Sequence, residues 1–186
     1  MELRNYWNDV LRSGALLGLV MLCSHILEQY VLVYSDISIL SSSLILGLEG
    51  LASCILFIYL LVRYARRRVA ESEIPMGYGS VLSYILLISM LAGIIVGVGN
   101  TVFTSAMGYD LYVEGLVERI NEIKSAYINA GISSEEFIKP FDGMIEKVRY
   151  STQPTMFQRL FSSLYNYMLF GGLPGLLIAG FVKRDN

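Results

Sequence analysis

Residues 80–107, SVLSYILLISMLAGIIVGVGNTVFTSAM, decide the fold class of this chain. The stretch is 28 residues long and contains no Asp, Glu, Lys or Arg. A helix needs about 20 consecutive apolar residues to cross the hydrocarbon core of a bilayer, because each residue adds about 1.5 Å. The stretch therefore predicts a transmembrane helix.

Three further blocks have the same character, at about residues 14–34, 42–62 and 160–182. In the four blocks together only Glu28 and Glu49 are charged. Charged residues make up 16% of the 186 residues, compared with roughly 25% in an average soluble protein. We therefore predict an all-α polytopic membrane protein, a single domain over residues 1–186 with four transmembrane helices in the lipid bilayer.

The composition excludes several classes of protein. Half of the chain is too apolar for a soluble or a disordered protein. The net charge of −2 and the lack of a basic stripe exclude nucleic acid as a partner. The chain has a single His, no Gly-x-Ser-x-Gly elbow and no phosphate-binding loop. We expect no cofactor and no enzymatic activity, and an intramembrane enzyme is the weakest alternative.

Basic residues orient the predicted helices. The segment after the second block, predicted as a loop, contains four arginines that would set topology and contact lipid headgroups: Arg63, Arg66, Arg67 and Arg68. Arg4, Arg12 and the pair Lys183-Arg184 flank the two ends, whereas residues 35–41 carry no Lys or Arg. Short loops rich in Lys and Arg stay in the cytoplasm. Both termini are therefore expected inside, and residues 108–157 outside.

The segment 108–157 is predicted to be a helical hairpin between the third and fourth spans. Its first arm has an apolar stripe at spacings of three and four, formed by Val113, Leu116, Ile120, Ile123 and Tyr127. Charged residues, Arg119 among them, are expected on the opposite, solvated face. The third transmembrane helix is expected to run on into this arm, and Gly131 to stop it.

The second arm of the hairpin should begin at a capping box formed by Ser133 and Glu136. Its apolar positions are Phe137, Phe141, Met144 or Ile145, and Val148. Pro140 either kinks this helix or is its true first residue. The two arms either bury their apolar stripes against each other or form a platform for another protein.

Glycines at four-residue spacing occur in three of the blocks, as Gly14 and Gly18, Gly93 and Gly97, and Gly171 and Gly175. Small residues let helix backbones approach closely in a membrane. These faces indicate either packing within the bundle or an oligomer interface. Pro174 is expected to kink the fourth helix, because it removes one backbone hydrogen bond.

Four polar side chains are predicted at similar membrane depth, His25 and Glu28 on the first helix, Glu49 on the second and Asn100 on the third. An ionisable group inside a membrane suggests function, because its insertion costs about 2.5–3.5 kcal/mol. The four residues could satisfy one another and fix the register of the bundle. Glu28 and Glu49 could instead exchange protons in a carrier. His25, Glu28 and Glu49 could also bind a metal, although the signal is weak.

The chain resembles a known family in four places: Trp7 before a glycine-containing first helix, residues 63–68 (RYARRR), residues 131–136 (GISSEE) and residues 177–184 (LIAGFVKR). Together these resemble the small four-helix inner-membrane proteins of Bacteroidetes that are grouped as a domain of unknown function. The resemblance covers nearly the whole chain. It implies a bacterial inner membrane and a periplasmic hairpin, and it assigns no catalytic residue.

The sequence therefore favours a non-enzymatic membrane protein with an accessory or assembly role. It would present the hairpin to a protein partner, or to a second copy of itself through the hairpin or the glycine-rich faces. The alternative is a small proton-coupled transporter that uses Glu28 and Glu49.

Overall fold

The computed structural model describes residues 2–132 and 134–183, with side chains from residue 5 onward. All regular structure in these ranges is helical. The helices are α1 (Glu2–Gln29), α2 (Ile39–Glu71), α3 (Tyr78–Met107), α4 (Tyr109–Asn129), α5 (Glu135–Arg149) and α6 (Met156–Val182). A π-helical turn, Tyr30–Tyr34, continues α1.

Four helical stretches in the described part of the chain are long and apolar enough to cross a membrane. They are Asn5–Tyr34, Ile39–Glu71, Tyr78–Met107 and Met156–Val182. The predicted all-α class and the four apolar helices are thus confirmed, and the chain has the features of a multi-pass membrane protein.

The helix boundaries differ from the predicted ones mainly at charged ends. α2 runs on to Glu71, so the four arginines lie in its last turns and the predicted loop was wrong. Likewise α1 begins at Glu2, well before Gly14. Arg, Ala, Leu and Glu are all good helix formers, so a helix does not stop where its apolar run stops. The ends of α3 and α6, Met107 and Val182, agree with the prediction.

α3 does not run on into α4, in contrast to the sequence-based expectation. Gly108 separates the two helices with a φ of 90°. This backbone region is open to glycine and strongly disfavoured for residues with a Cβ. The single glycine therefore ends α3 and lets α4 start in a new direction.

The boundaries of α4 and α5 are partly as predicted. Gly131, with a φ of 83°, follows α4 as the expected stop. α5 begins at Glu135 and includes Pro140, so a start at Pro140 is wrong. The proposed cap Ser133 lies outside the described residues, as do Arg184 and the side chain of Arg4. A capping box that we did not predict occurs at α6, where Thr155 accepts from the backbone N–H of Gln158.

The chain divides into two compact units. Unit 1 comprises Met1–His25, Leu51–Thr101 and Thr155–Asn186, and unit 2 comprises Ile26–Gly50 and Val102–Pro154. The core of unit 1 includes fully buried side chains of α1, α2 and α3, and α6 adds Ile178 and Ala179. The largest of the fully buried side chains are Leu17, Leu61, Tyr84, Ile85 and Ile88. In unit 2, α4 packs against α5 and against the turn Tyr30–Tyr34.

The glycine pairs of unit 1 lie at close helix contacts. A Cβ on Gly93 would come within 2.9 Å of the Leu164 Cα, and a Cβ on Gly97 within 2.9 Å of the Leu160 Cα. Gly14 faces Leu91 in the same way, at 2.8 Å. These faces are thus occupied by helices of the same chain, which supports the bundle-packing reading of the glycine spacing.

Gly93→Ala should destabilise unit 1, because the added methyl meets backbone atoms of α6 that cannot rotate away. Overpacking of this kind costs about 1–3 kcal/mol. Gly180→Ala is the matched control, since nothing lies within 4 Å of a Cβ at that position of α6. Thermal unfolding of the detergent-solubilised variants should show a lower midpoint for Gly93→Ala alone. Equal midpoints for both variants would contradict the close contact.

Candidate functional site

Arg119 of α4 forms hydrogen bonds to three backbone carbonyls of unit 2 and to Glu122. Its Nε donates to the carbonyl of Leu32 at 2.8 Å, and its Nη1 donates to the carbonyl of Ile37 at 2.6 Å. Nη2 donates to the carbonyl of Ser35, and Nη1 also reaches Glu122 Oε2 at 2.7 Å. Only 7% of the Arg119 side chain is exposed. We call this set of bonds the Arg119 clamp.

The clamp meets a need created by the end of the first apolar helix. The last four carbonyl groups of a helix have no partner within the helix, and leaving such groups dry costs free energy. The Leu32 carbonyl is one of these groups, and the carbonyls of Ser35 and Ile37 belong to the non-helical segment that follows and also lack helical partners. A guanidinium has five N–H donors in a fixed plane and can satisfy several carbonyls at once. Gly115 brings α4 close enough, because a Cβ there would overlap the Val33 carbonyl.

α4 lies across the segment 32–37 instead of leading away from it. Phe103, before the break at Gly108, has its ring 6.0 Å from that of Tyr34. Gly115 contacts Val33, and Arg119 bonds to Ile37. A straight helix from residue 103 to residue 119 would cover roughly 24 Å. Because positions this far apart touch the same short segment, the break turns α4 back over it.

The prediction that Arg119 faces solvent was wrong. The predicted apolar stripe of α4 is mostly half-buried, whereas Val117 and Arg119 are the buried residues of this helix. Periodicity identifies the apolar face of a helix, but it does not reveal that an arginine is buried because its partners are backbone carbonyls. Gly115, one turn before Arg119, was the available sequence signal of a close approach.

A second buried polar cluster joins α1, α2 and α3 in unit 1. Asp9 Oδ1 accepts a hydrogen bond from Arg67, and Asp9 Oδ2 accepts one from the Tyr84 hydroxyl at 2.8 Å. Ser13 Oγ accepts from Arg67 Nη2 at 3.0 Å and from the Tyr84 hydroxyl at 3.1 Å. The Asp9 side chain is 13% exposed, and Ser13 and Tyr84 are fully buried. We call this group the Asp9 cluster.

The Asp9 cluster was not predicted. It shows that the four arginines of α2 have different environments. Arg67 is half-buried and ion-paired with Asp9, so its position is explained by the protein itself. Arg63 and Arg66 are exposed. Arg68 is half-buried and lies over the Tyr6 ring, 5.1 Å from its centroid. The missed signal was Asp9, an acidic residue in the polar first turns that lead into the first apolar block.

The predicted intramembrane polar layer is divided between the two units. His25 and Asn100 belong to unit 1, and Glu28 and Glu49 belong to unit 2. Glu28 is exposed, and the other three are half-buried. Each of the four has at least one polar or electrostatic interaction. Among the described residues, no three His, Cys, Asp or Glu side chains are grouped closely enough to hold a metal ion.

α5 leaves part of its apolar surface exposed. Its half-buried apolar residues share one face that is turned to α4, and they are Ile138, Phe141, Ile145 and Val148. The Phe141 ring packs 5.5 Å from that of Tyr127, and Lys124 pairs with Asp142 at 2.6 Å. Phe137 and Met144 remain 56% and 53% exposed, with exposed Pro140 between them. None of the residues of α5 is buried.

The chain matches the model of one known protein family. Residues 12–184 match the model of a family described as "Protein of unknown function (DUF4199)". The chain belongs to this family. Because the match runs from α1 to the end of α6, the α4–α5 pair is part of the family's own domain. No curated protein and no solved structure matches the chain.

Arg119→Gln should release α4 from the segment 32–37, because the carbonyls of Leu32, Ser35 and Ile37 lose a charged donor. Hydrogen bonds to charged groups contribute about 1.5–3 kcal/mol each. Amide hydrogen exchange in α4 should become roughly 100-fold faster for a loss of about 3 kcal/mol. Lys147→Gln, which removes an exposed cation from the adjacent helix, should leave α4 unchanged. Unchanged protection in Arg119→Gln would show that the clamp does not hold α4.

Asp9→Asn should destabilise unit 1 by about 2 kcal/mol, since the charged acceptor of Arg67 is lost. Tyr84→Phe removes a single donor and should cost about 1 kcal/mol. The double variant should lose less than the sum of the two, because both changes act on one network. Chemical unfolding in detergent measures these values, with exposed Asn8→Ala as the control. Strict additivity would mean that the two side chains act independently.

Proposed function

We propose that this protein is a non-enzymatic accessory or assembly protein of the membrane, and that it presents the α4–α5 pair to a protein partner. The observation that carries the proposal is a contrast within unit 2. Arg119 fixes α4 to the end of the first apolar helix, whereas α5, which packs on α4, buries none of its residues. A firmly held helix thus supports one that keeps an apolar face open.

The exposed face of α5 suits an amphipathic helix of another protein. Phe137, Pro140 and Met144 lie at positions i, i+3 and i+7, which is the spacing of the anchors in helix recognition. Complete burial of a Phe or Met side chain stabilises by about 1.5–3 kcal/mol, and each of the two is only half covered. Glu136 lies at the N-terminal end of this exposed face and Lys147 at its C-terminal end. They favour a partner helix that places a basic residue opposite Glu136 and an acidic residue opposite Lys147.

The placement of the hairpin belongs to the same proposal. The arginines at the end of α2 and the lack of Lys and Arg in residues 35–41 support a cytoplasmic location of both termini. The α4–α5 pair would then lie outside, in the periplasm of a bacterium whose inner membrane contains the four apolar helices. A partner would be a periplasmic protein or the external part of another membrane protein.

The competing function is proton-coupled transport by Glu28 and Glu49. Both residues lie in unit 2, and both have interaction partners. Glutamates that are engaged by the protein support a structural role more than a carrier role. The two functions predict different effects of Glu→Gln variants, because transport needs an ionisable carboxyl whereas presentation of α5 does not.

A photo-crosslinking amino acid at position 137 or 144 should give adducts with a defined protein in cells, because both positions lie on the exposed stripe. The same residue at position 146, which is exposed on another face of α5, is the control. The adducts should weaken in the Arg119→Gln background, because α5 loses its support. The mass of the adduct on a denaturing gel distinguishes a partner protein from a second copy of the chain, because an adduct of two copies has twice the mass of the chain.

The phenotype of the cell distinguishes presentation from transport. Glu28→Gln and Glu49→Gln should keep the function and the crosslinks, whereas Phe137→Ser with Met144→Ser should lose the function. If the glutamine variants abolish function while the serine variants retain it, the proposal fails in favour of transport. Adducts that are equal at positions 137, 144 and 146 would also count against a specific partner surface.

A further inference from the structure

A cavity in unit 1 combines an arginine, an aromatic ring and two carboxylates. It has a volume of about 300 Å³ and lies between the first turns of α1 and the end of α2 with the loop that follows. Its lining includes Tyr6, Arg68, Glu71, Glu73 and Ile74. Pockets for small ligands have volumes of roughly 300–1,000 Å³. This cavity is therefore at the lower end of the size range for a small ligand.

Arg68 is the basic residue of this cavity, and one of its donors has no partner within the described residues. Its Nε is buried and has no hydrogen-bond partner, and Arg68 forms no salt bridge within the described residues. Its neighbour Arg67 is bonded to Asp9 and Ser13. The Tyr6 ring holds the Arg68 guanidinium at 5.1 Å and limits its orientation. A guanidinium with free donors matches the oxygens of a phosphate group in two places at once.

The carboxylates define the rest of the ligand. Glu71 and Glu73 are exposed at the same cavity, and the nearest cation of Glu71 is Arg67 Nε at 3.9 Å. A purely anionic headgroup would be repelled by both carboxylates. A primary ammonium group would instead donate hydrogen bonds to them, which a quaternary ammonium cannot do because it has no N–H. The complementary ligand therefore carries a phosphate and a primary ammonium.

We propose that this cavity binds a phosphoethanolamine group, with the phosphate on Arg68 and the ammonium on Glu71 and Glu73. Such a group occurs in the headgroup of phosphatidylethanolamine and in free phosphoethanolamine. The surroundings favour the lipid, because Trp7 and Ile74 are 50% and 61% exposed beside the cavity. Trp is enriched at the level of lipid headgroups. This site is independent of the surface on α5.

The proposal is tested with the full chain in nanodiscs of equal phosphatidylethanolamine and phosphatidylglycerol, followed by native mass spectrometry of the lipids retained. Wild type should retain phosphatidylethanolamine preferentially. Arg68→Gln should reduce that retention at least about fivefold, which corresponds to about 1 kcal/mol. Arg68→Lys, which keeps the charge and loses the planar fork, should be intermediate. Arg66→Gln, which removes an exposed arginine of the same helix, should match wild type.

The glutamates supply the second arm of the test. Glu71→Gln with Glu73→Gln should shift retention towards phosphatidylglycerol, because the ammonium loses its partners while the phosphate keeps Arg68. Calorimetry with free phosphoethanolamine separates the two sources of the group. Binding that depends on Arg68 and both glutamates, without lipid retention, would support the chemistry and identify a soluble ligand.

Three results would overturn the proposal. The first is equal loss in Arg68→Gln and Arg66→Gln, which would indicate a general effect of positive charge. The second is an unchanged lipid preference in the double glutamine variant. The third is the absence of binding of both probes to a folded wild-type protein, with folding checked by thermal unfolding.

Discussion

The carbonyl groups at the end of an apolar helix need hydrogen-bond donors, and this requirement governs unit 2. Such a helix satisfies its own backbone along its length but leaves its last four carbonyls open. In this protein Arg119, a residue far away in the sequence, donates to one of them, the carbonyl of Leu32, and to two carbonyls of the segment that follows the helix. Because one planar side chain reaches the carbonyls of Leu32, Ser35 and Ile37, the position of α4 follows from the way in which the first helix ends.

In each unit a polar side chain joins elements distant in the sequence. In unit 1 the carboxylate of Asp9 accepts from α2 and α3 beside a cluster of buried apolar side chains. In unit 2 the guanidinium of Arg119 donates to backbone carbonyls. Apolar packing alone specifies register poorly among helices that are apolar all round, since lipid and protein interiors are equally apolar. A directional bond adds the specificity that contact area does not provide.

The sequence predicts some parts of this protein well for identifiable reasons. The four apolar helices follow from length and composition, and Gly131 ends α4 because its backbone is free to take a positive φ. The end of α2 was predicted too early, because charged residues such as Arg66 are good helix formers. The break at Gly108 was missed, because one glycine in a long apolar run has no distinctive pattern. Arg119 and Asp9 were missed because their partners lie 82 and 58 residues away in the chain.

The π-helical turn at Tyr30–Tyr34 affects how strictly the number of residues in the first helix is fixed. A turn with i→i+5 hydrogen bonds contains one residue more than the corresponding α-helical turn. The turn therefore takes up one additional residue without rotating the segment that follows it out of position. The carbonyls of Ser35 and Ile37 lie in that segment, so they keep their direction towards α4. In a homologue one residue shorter here, an ordinary α-helical turn would lead to the same exit, and the arginine would stay on the same face of α4.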